Sequence, residues 1–186
     1  MTTPSKLPRR PLMAAVLLIV VVSASVTSWR WWERRQAGEF TRNPYYCELV
    51  APETIHRLLP TAYGGREDLG SCTWAAPREK GVYRANVHLR ASRLTVETAR
   101  ENYREQRSGK ERGWEKGTQE DLPGLGEEAF LRFGPTDPGK NITAQVVFRR
   151  SNLLITITYA RSDDDREAVR TGAIDAARDA VAHLRP

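Results

Sequence analysis

The chain has 186 residues, of which 40% are hydrophobic and 28% are charged. This composition is too apolar for a chain that is disordered throughout, and the part after the targeting region suits one domain with one core. The net charge is +6, and nearly all of it lies in the first 35 residues, which leaves the remainder close to neutral. A near-neutral domain lacks the basic surface of nucleic-acid binding proteins, so no nucleic-acid partner is expected.

An uncharged, largely apolar stretch between Arg10 and Arg30 predicts a membrane segment. A helix over this stretch would cover roughly 28 Å, which is close to the hydrocarbon thickness of a bilayer. The sequence therefore predicts four parts: a cytoplasmic tail at 1–10, a transmembrane helix acting as a signal anchor at 11–32, a tether at 33–44 and an extracytoplasmic domain at 45–186.

The residues at the two ends of this segment predict its orientation. Arg9 and Arg10 would stay at the cytoplasmic interface, while Trp29, Trp31 and Trp32 would lie at the opposite interface, where amphipathic rings prefer to be. A cleaved secretory signal is the competing interpretation, because the apolar run also has the length of a signal core. Both interpretations export the domain. The retained anchor is preferred, since it gives the aromatic cluster a use, and it predicts a single-pass protein of the cell membrane with a cytoplasmic N-terminus.

The only two cysteines of the chain are Cys47 and Cys72. Paired cysteines in a small exported domain usually oxidise, so a disulfide that closes a loop of about 25 residues is expected. Two unrelated buried thiols are the alternative. A metal site is less favoured, because no CxxC motif or histidine cluster accompanies the two cysteines.

Periodicity along the domain predicts elements in the order helix, two strands, helix, three strands, helix. One of the clearest strands is 82–91, where apolar and polar residues alternate, and the β signal is strongest in the two strands 142–150 and 153–160. An amphipathic helix follows Asp163–Asp165. Strands joined by hairpins with helices on one face make an α+β fold. The fold class expected is an antiparallel β-sheet of about five strands packed by about three helices and preceded by one N-terminal transmembrane helix.

Several short motifs resemble a known group of proteins. They are Tyr45–Val50, Cys72–Trp74 and Leu125–Phe130, followed by a strand at 144–150, a hairpin and a final helix. The pattern resembles a family of exported actinobacterial membrane-anchored proteins and lipoproteins of unknown function, and it is distantly similar to the extracellular sensor domain of a mycobacterial serine/threonine kinase. The resemblance implies an antiparallel sheet packed by helices, a disulfide between Cys47 and Cys72, and a binding or sensing role.

No catalytic or cofactor motif is recognisable in the sequence. His56, His88 and His183 fall on different predicted elements without a local metal or nucleophile motif, so each is interpreted as structural. The acidic run Asp163–Asp165 favours a helix cap over a cation site. Glu127 and Glu128 are not expected to form an acid/base pair, because neighbours on a strand point to opposite faces. We expect no enzyme, no cofactor and no metal.

The functional hypothesis is a membrane-tethered extracytoplasmic module that binds or senses an unknown ligand. Trp114, in a Gly-rich polar stretch, is the candidate ligand-facing residue, since an exposed indole can serve as a platform for a sugar ring or an apolar ligand. The alternatives are an interaction subunit of a cell-envelope complex and, less favoured, a secreted enzyme. The expected partners are the membrane and either a small ligand or an envelope protein.

Overall fold

The computed structural model describes residues 22–23, 25–33, 35–79, 82–109, 114, 119–134, 141–163 and 165–186. The chain divides into two compact units, Met1–Gln36 and Ala37–Pro186. We describe each unit by itself and call the second one the folded domain.

The described residues of the first unit are helical from residue 22 onwards. Trp29, Trp31 and Trp32 are all more than half exposed on this helix. The rings of Trp29 and Trp32 lie 6.0 Å apart, and the guanidinium of Arg35 stacks 3.5 Å from the ring centre of Trp31. Arg9, Arg10 and residues 11–21 of the predicted transmembrane segment lie outside the described residues.

Nine strands and four helices are described in the folded domain. The helices are a 3-10 helix at Tyr46–Glu48 and α-helices α1 (Pro52–Leu58), α2 (Val96–Arg107) and α3 (Arg166–His183). The strands are β1 (Arg66–Asp68), β2 (Ser71–Ala75), β3 (Arg78–Glu79), β4 (Val82–Tyr83), β5 (Ala85–Arg93), β6 (Glu120–Asp121), β7 (Glu128–Phe133), β8 (Ile142–Arg150) and β9 (Leu153–Arg161).

Seven of these strands form one antiparallel sheet, in the order β1-β2-β5-β9-β8-β7-β6, while β3 and β4 make a separate hairpin. The nine-residue strands β5, β8 and β9 lie at its centre. Successive side chains on a strand point to opposite faces, so each of these strands presents two different sets of residues.

One face of the sheet carries the main apolar core. On β8 this face consists of Ile142, Ala144, Val146 and Phe148, all buried. Helix α3 packs across β8 and β9 through a stripe of small residues, and α1 packs against α3. Small residues let the helix lie close to the sheet. At Gly172 even a Cβ would lie 2.5 Å from Tyr159 Cε1.

The opposite face is largely polar and is covered in part by α2. Thr95 caps this helix by accepting a hydrogen bond from the backbone N–H of Thr98. The apolar side of α2 is short, and Tyr103 provides most of it. Tyr103 packs edge-on against Phe130 with Val147 and Leu154 in a small second cluster. The helices therefore lie on both faces of the sheet.

The predicted fold class needs three corrections. The sheet has seven strands instead of about five, because the sequence analysis missed the edge strands β1 and β6, which are too short to show a period-two pattern. The folded domain has four helices instead of about three, and α2 lies on the face that the prediction left uncovered. Within the part of the chain that the structure describes, no helix combines the length and the apolar character needed to cross a membrane.

The chain enters the folded domain through a buried aromatic residue. Phe40 is only 2% exposed, although it lies in the segment assigned to the tether. It is fixed by the β8–β9 turn, in which Ser151 adopts the left-handed conformation with a φ of 52° and Asn152 is fully buried. The folded unit therefore includes residues upstream of Tyr45, from Ala37 onwards.

Candidate functional site

Cys47 and Cys72 form a disulfide, as the sequence predicted. It joins the 3-10 helix to β2 across a separation of 25 residues, with the two Cα atoms 5.1 Å apart. Gly65 packs against it so closely that a Cβ there would lie 2.7 Å from Cys72 Sγ and 2.5 Å from Trp74 Nε1. Since Cys72 and Trp74 are both buried in the main core, the bridge and its surroundings are structural.

The polar face of the sheet carries a row of side chains that runs straight across six neighbouring strands. Cross-strand pairing brings them side by side, from β1 to β7, in the order Arg66, Thr73, His88, Thr158, Gln145, Arg132. At the usual strand spacing the row extends over about 24 Å. We call it the polar row.

Hydrogen bonds link most neighbours within the polar row. Thr73 Oγ1 lies 2.9 Å from His88 Nδ1, and Gln145 Nε2 donates to Thr158 Oγ1 over 3.2 Å. Arg132 Nε donates to Gln145 Oε1 over 2.8 Å, and Arg132 Nη1 donates to the backbone carbonyl of Gln106 on α2 over 2.9 Å. These bonds fix the side chains in place and connect the sheet to the helix above it.

A groove opens where α2 stops covering the polar face. The sheet forms its floor through β5, β9, β8 and β7, α2 forms one wall, and its volume is about 510 Å³. We call this cavity the polar groove. A second hollow of about 700 Å³ lies over β1 and β2, and His88 lines both. The two hollows therefore meet at the middle of the polar row.

The polar groove contains side chains whose polar groups bond nothing in the protein. Among the described residues, five of its lining side chains make no hydrogen bond or ion pair, and they come from β5, β9 and α2: Arg90, Ser92, Asn102, Gln106 and Thr156. Ser92, Asn102, Gln106 and Thr156 are half-buried, and Arg90 is exposed. Donors and acceptors thus converge on one concave surface from three different elements.

The electrostatic character of the polar groove is basic. Arg90 and Arg132 line it together with His88, and none of the described lining residues is Asp or Glu. Burial lowers the pKa of His88, and the nearby charge of Arg90 lowers it further. The imidazole is therefore biased toward its neutral form, in which one ring nitrogen donates and the other accepts.

Trp114, the predicted ligand-facing residue, is half-buried and lies against the same polar row. The guanidinium of Arg132 stacks over its indole, 4.1 Å from the ring centre. This cation–π contact occupies one face of the indole ring. Trp114 thus covers Arg132, which is itself only 1% exposed.

The remaining candidates from the sequence serve the fold. Asp165 accepts a hydrogen bond from the backbone N–H of Ala168 and caps α3. His183 Nδ1 lies 2.8 Å from the carbonyl of Asp179 within the same helix. Across the positions that the structure describes, no group of three or more potential metal ligands comes together.

Glu127 and Glu128 do not point apart, contrary to the prediction. Both bind the buried guanidinium of Arg149, Glu127 at 2.6 Å through Nη2 and Glu128 at 2.8 Å through Nε. The alternation rule fails because Glu127 precedes β7, whose first residue is Glu128. Arg149 Nη1 also donates to the carbonyl of Ser151, so the cluster holds the β8–β9 turn.

Sequence reasoning missed the polar groove and interpreted His88 as a structural residue facing solvent. Its neighbours in the row come from positions 66 to 158, and no local motif marks them. The available signal was the set of outward positions on β5 and β9, where His88, Arg90, Thr156 and Thr158 alternate with core residues. Which residues meet across the sheet depends on strand order, which the sequence does not reveal.

Comparison with known proteins adds little. No protein-family model and no curated protein matches the chain. A crystal structure of a protein from Bacteroides thetaiotaomicron VPI-5482 at 1.50 Å resolution is 11% identical, and the alignment covers 60% of this chain and 39% of that one, with a TM-score of 0.41. This likeness is too remote to carry an argument. The resemblance to exported actinobacterial domains stays a prediction.

Proposed function

We propose that the folded domain is an extracytoplasmic binding module that takes a small polar molecule in the polar groove. One observation carries the proposal: five side chains from the sheet and α2 converge on the groove with polar groups that bond nothing in the described protein. Polar atoms that bond nothing in the protein and stay open to solvent can exchange their water for a ligand. In this groove their bonds are left for water or for a ligand.

The size and rigidity of the groove support this role. A volume of about 510 Å³ lies within the range of small-molecule sites. The floor is built on the central strands, and the hydrogen bonds of Arg132 to Gln145 and to the carbonyl of Gln106 hold floor and wall together. A site built on such rigid elements loses little conformational entropy when a ligand binds.

The extracytoplasmic location in this proposal is supported by the disulfide, because such bridges persist mainly in oxidising compartments. Membrane attachment through the N-terminal segment stays a prediction from the sequence. The alternatives of an envelope interaction subunit and a secreted enzyme have no comparable observation in their favour.

The test is a binding screen of the full-length chain, kept in a mild non-ionic detergent, by two-dimensional ¹H–¹⁵N NMR. The panel contains small neutral, cationic and anionic polar compounds of sugar, amino-acid and dicarboxylate type. Thr156→Phe fills the floor of the groove, and Thr61→Phe is the matched control, because Thr61 is exposed and does not line the groove.

We expect at least one class of compound to shift the amide signals of β5, β9 and α2. The shifts should disappear in Thr156→Phe and persist in Thr61→Phe. A panel that leaves these signals unchanged would contradict the proposal. Binding that persists in Thr156→Phe would contradict it as well.

A further inference from the structure

We infer that the molecule bound in the polar groove carries a phosphate or carboxylate group, and that Arg90 binds this group. This inference rests on the proposed function and specifies the chemical class of its ligand. It starts from the lining of the groove, which contains Arg90 and Arg132 and no carboxylate among the described lining residues.

Arg90 is the residue that the geometry singles out. It lies on β5 two residues from His88, so both side chains project from the same face about 7 Å apart along the strand. Its cross-strand partners on this face are Ser71 and Thr156, which are uncharged hydroxyl residues. Within the described residues its guanidinium makes no ion pair or hydrogen bond, and it lines the groove directly.

The other arginines of the same face are bonded within the protein or lie outside the groove. Arg66, on the edge strand β1, is also exposed and makes no hydrogen bond or ion pair among the described residues, but it does not line the groove. Arg149 is neutralised by Glu127 and Glu128, and Arg132 spends two of its donors on Gln145 and Gln106. Arg90 keeps its whole planar fork of donors, which matches two oxygens of a phosphate or carboxylate.

Hydrogen-bonding groups around Arg90 complete a site for an anionic oxygen group. The hydroxyls of Ser92 and Thr156 and the side-chain amides of Asn102 and Gln106 can all donate to oxygen atoms of the same molecule. An accessible guanidinium among neutral donors selects for a negative charge at one end of the ligand and for hydroxyl or amide groups at the other.

Three probes that share one pyranose ring test this inference: glucose, glucuronate and glucose 6-phosphate. They present a neutral, a carboxylate and a phosphate group on the same scaffold. Binding to the full-length chain in detergent is measured by NMR titration up to millimolar concentration, with Arg90→Gln as the test variant. Arg104→Gln is the control, since it removes the same charge from an exposed position of α2 that does not line the groove.

We expect one or both anionic sugars to bind at least tenfold more tightly than glucose, which corresponds to one charge-assisted hydrogen-bond pair. Arg90→Gln should remove that advantage, while Arg104→Gln should keep it. The stronger of the two anionic probes identifies the group as phosphate or carboxylate.

Three outcomes count against the inference. Equal binding of glucose and the anionic sugars, unaffected by Arg90→Gln, means a neutral ligand and leaves the binding function intact. Anion binding that falls equally in Arg90→Gln and Arg104→Gln reflects overall charge and no site. If none of the three probes binds, the inference of an anion site is wrong. The proposed binding function itself fails only if no compound of the wider panel binds either.

Discussion

The side-chain amide of Asn152 forms two hydrogen bonds with the backbone of Phe40, a residue 112 positions earlier in the chain. Asn152 Oδ1 accepts from the Phe40 N–H at 3.0 Å, and Asn152 Nδ2 donates to the Phe40 carbonyl at 2.9 Å. The amide thus imitates a neighbouring β-strand. It fixes the first segment of the folded domain on the β8–β9 turn.

Asn152→Ala should destabilise the folded domain by about 2–4 kcal/mol, because it leaves a buried donor and a buried acceptor of Phe40 without partners. Urea denaturation measures the loss. The control is Asn102→Ala, whose side chain makes no hydrogen bond in the described protein, and its effect should stay within about 0.5 kcal/mol. Equal losses in the two variants would contradict the role assigned to the Phe40 contacts.

Glu127 should make the domain sensitive to acid. Burial tends to raise its pKa, but hydrogen bonds from the Ser151 backbone and from Arg149 outweigh this and lower it. A lowered pKa in the folded state means that the stabilisation is present above the ordinary glutamate pKa and is lost as the pH falls through the folded value, below roughly pH 4–5. Glu127→Gln should flatten this part of the stability profile measured by thermal unfolding.

The same substitution should also lower stability at neutral pH, since the buried guanidinium of Arg149 keeps only one carboxylate. Glu101→Gln is the control for the loss of one negative charge, because Glu101 is exposed on α2 and makes no hydrogen bond or ion pair among the described residues. A parallel change in both variants would show that net charge, and not the Arg149 cluster, sets the acid sensitivity.

His88 should titrate below an ordinary histidine, because burial and then the charge of Arg90 lower its pKa. Arg90→Gln should raise the pKa only part of the way, since burial is the larger cause. NMR titration of the imidazole protons measures the pKa of His88 in the unsubstituted chain and in Arg90→Gln. With a lowered pKa, the contribution of His88 to stability is present above the unfolded value near pH 6.5 and is lost on acidification. An unchanged pKa in Arg90→Gln would place the guanidinium away from the imidazole.

The disulfide should stabilise the domain by restricting the unfolded chain. For a separation of 25 residues the chain-entropy estimate is about 3.5 kcal/mol. The double variant Cys47→Ala/Cys72→Ala should lose about this amount in urea denaturation. A reducing agent should then have no further effect on it. A variant as stable as the disulfide-bonded chain would show that packing around Trp74 alone holds this region.

Gly172→Ala should destabilise the domain although alanine favours helices. Its Cβ would lie 2.5 Å from Tyr159 Cε1 and 2.8 Å from Leu58 Cδ2. Overpacking of this kind costs about 1–3 kcal/mol, against a gain of about 1 kcal/mol in helix propensity. At Gly64, where no atom lies within 4 Å of a Cβ, alanine should leave thermal stability unchanged or slightly raised. If Gly172→Ala were more stable than Gly64→Ala, α3 would have to be able to move away from the sheet.

The long central elements could be predicted because they repeat a pattern over many residues. Strand β5 alternates along most of its nine residues, β8 and β9 are rich in β-branched and aromatic residues over nine residues each, and α3 carries its small apolar stripe over eighteen. The two cysteines were predictable from chemistry alone. The edge strands β1 and β6 were not, because two or three residues contain no period to detect.

Contacts between distant parts of the chain account for the other differences. The face of the sheet that α2 covers is set by the contact of Tyr103 with Phe130. The sequence of α2 alone does not indicate this contact. Similarly, Arg90 and Thr156 are ordinary polar residues at outward strand positions until β5 and β9 pair. A binding surface made from neighbours in space is invisible to an analysis that looks for neighbours in sequence.

The polar row crosses strands of very different length, and this has a consequence for its dynamics. Its centre lies on nine-residue strands, whereas Arg66 lies on β1, a three-residue edge strand whose side chains are all exposed. Edge elements with few contacts open locally before the core does. Amide hydrogen exchange should therefore be fast around Arg66 and slow around Thr158. The hollow over β1 and β2 would open and close around a groove floor that stays rigid.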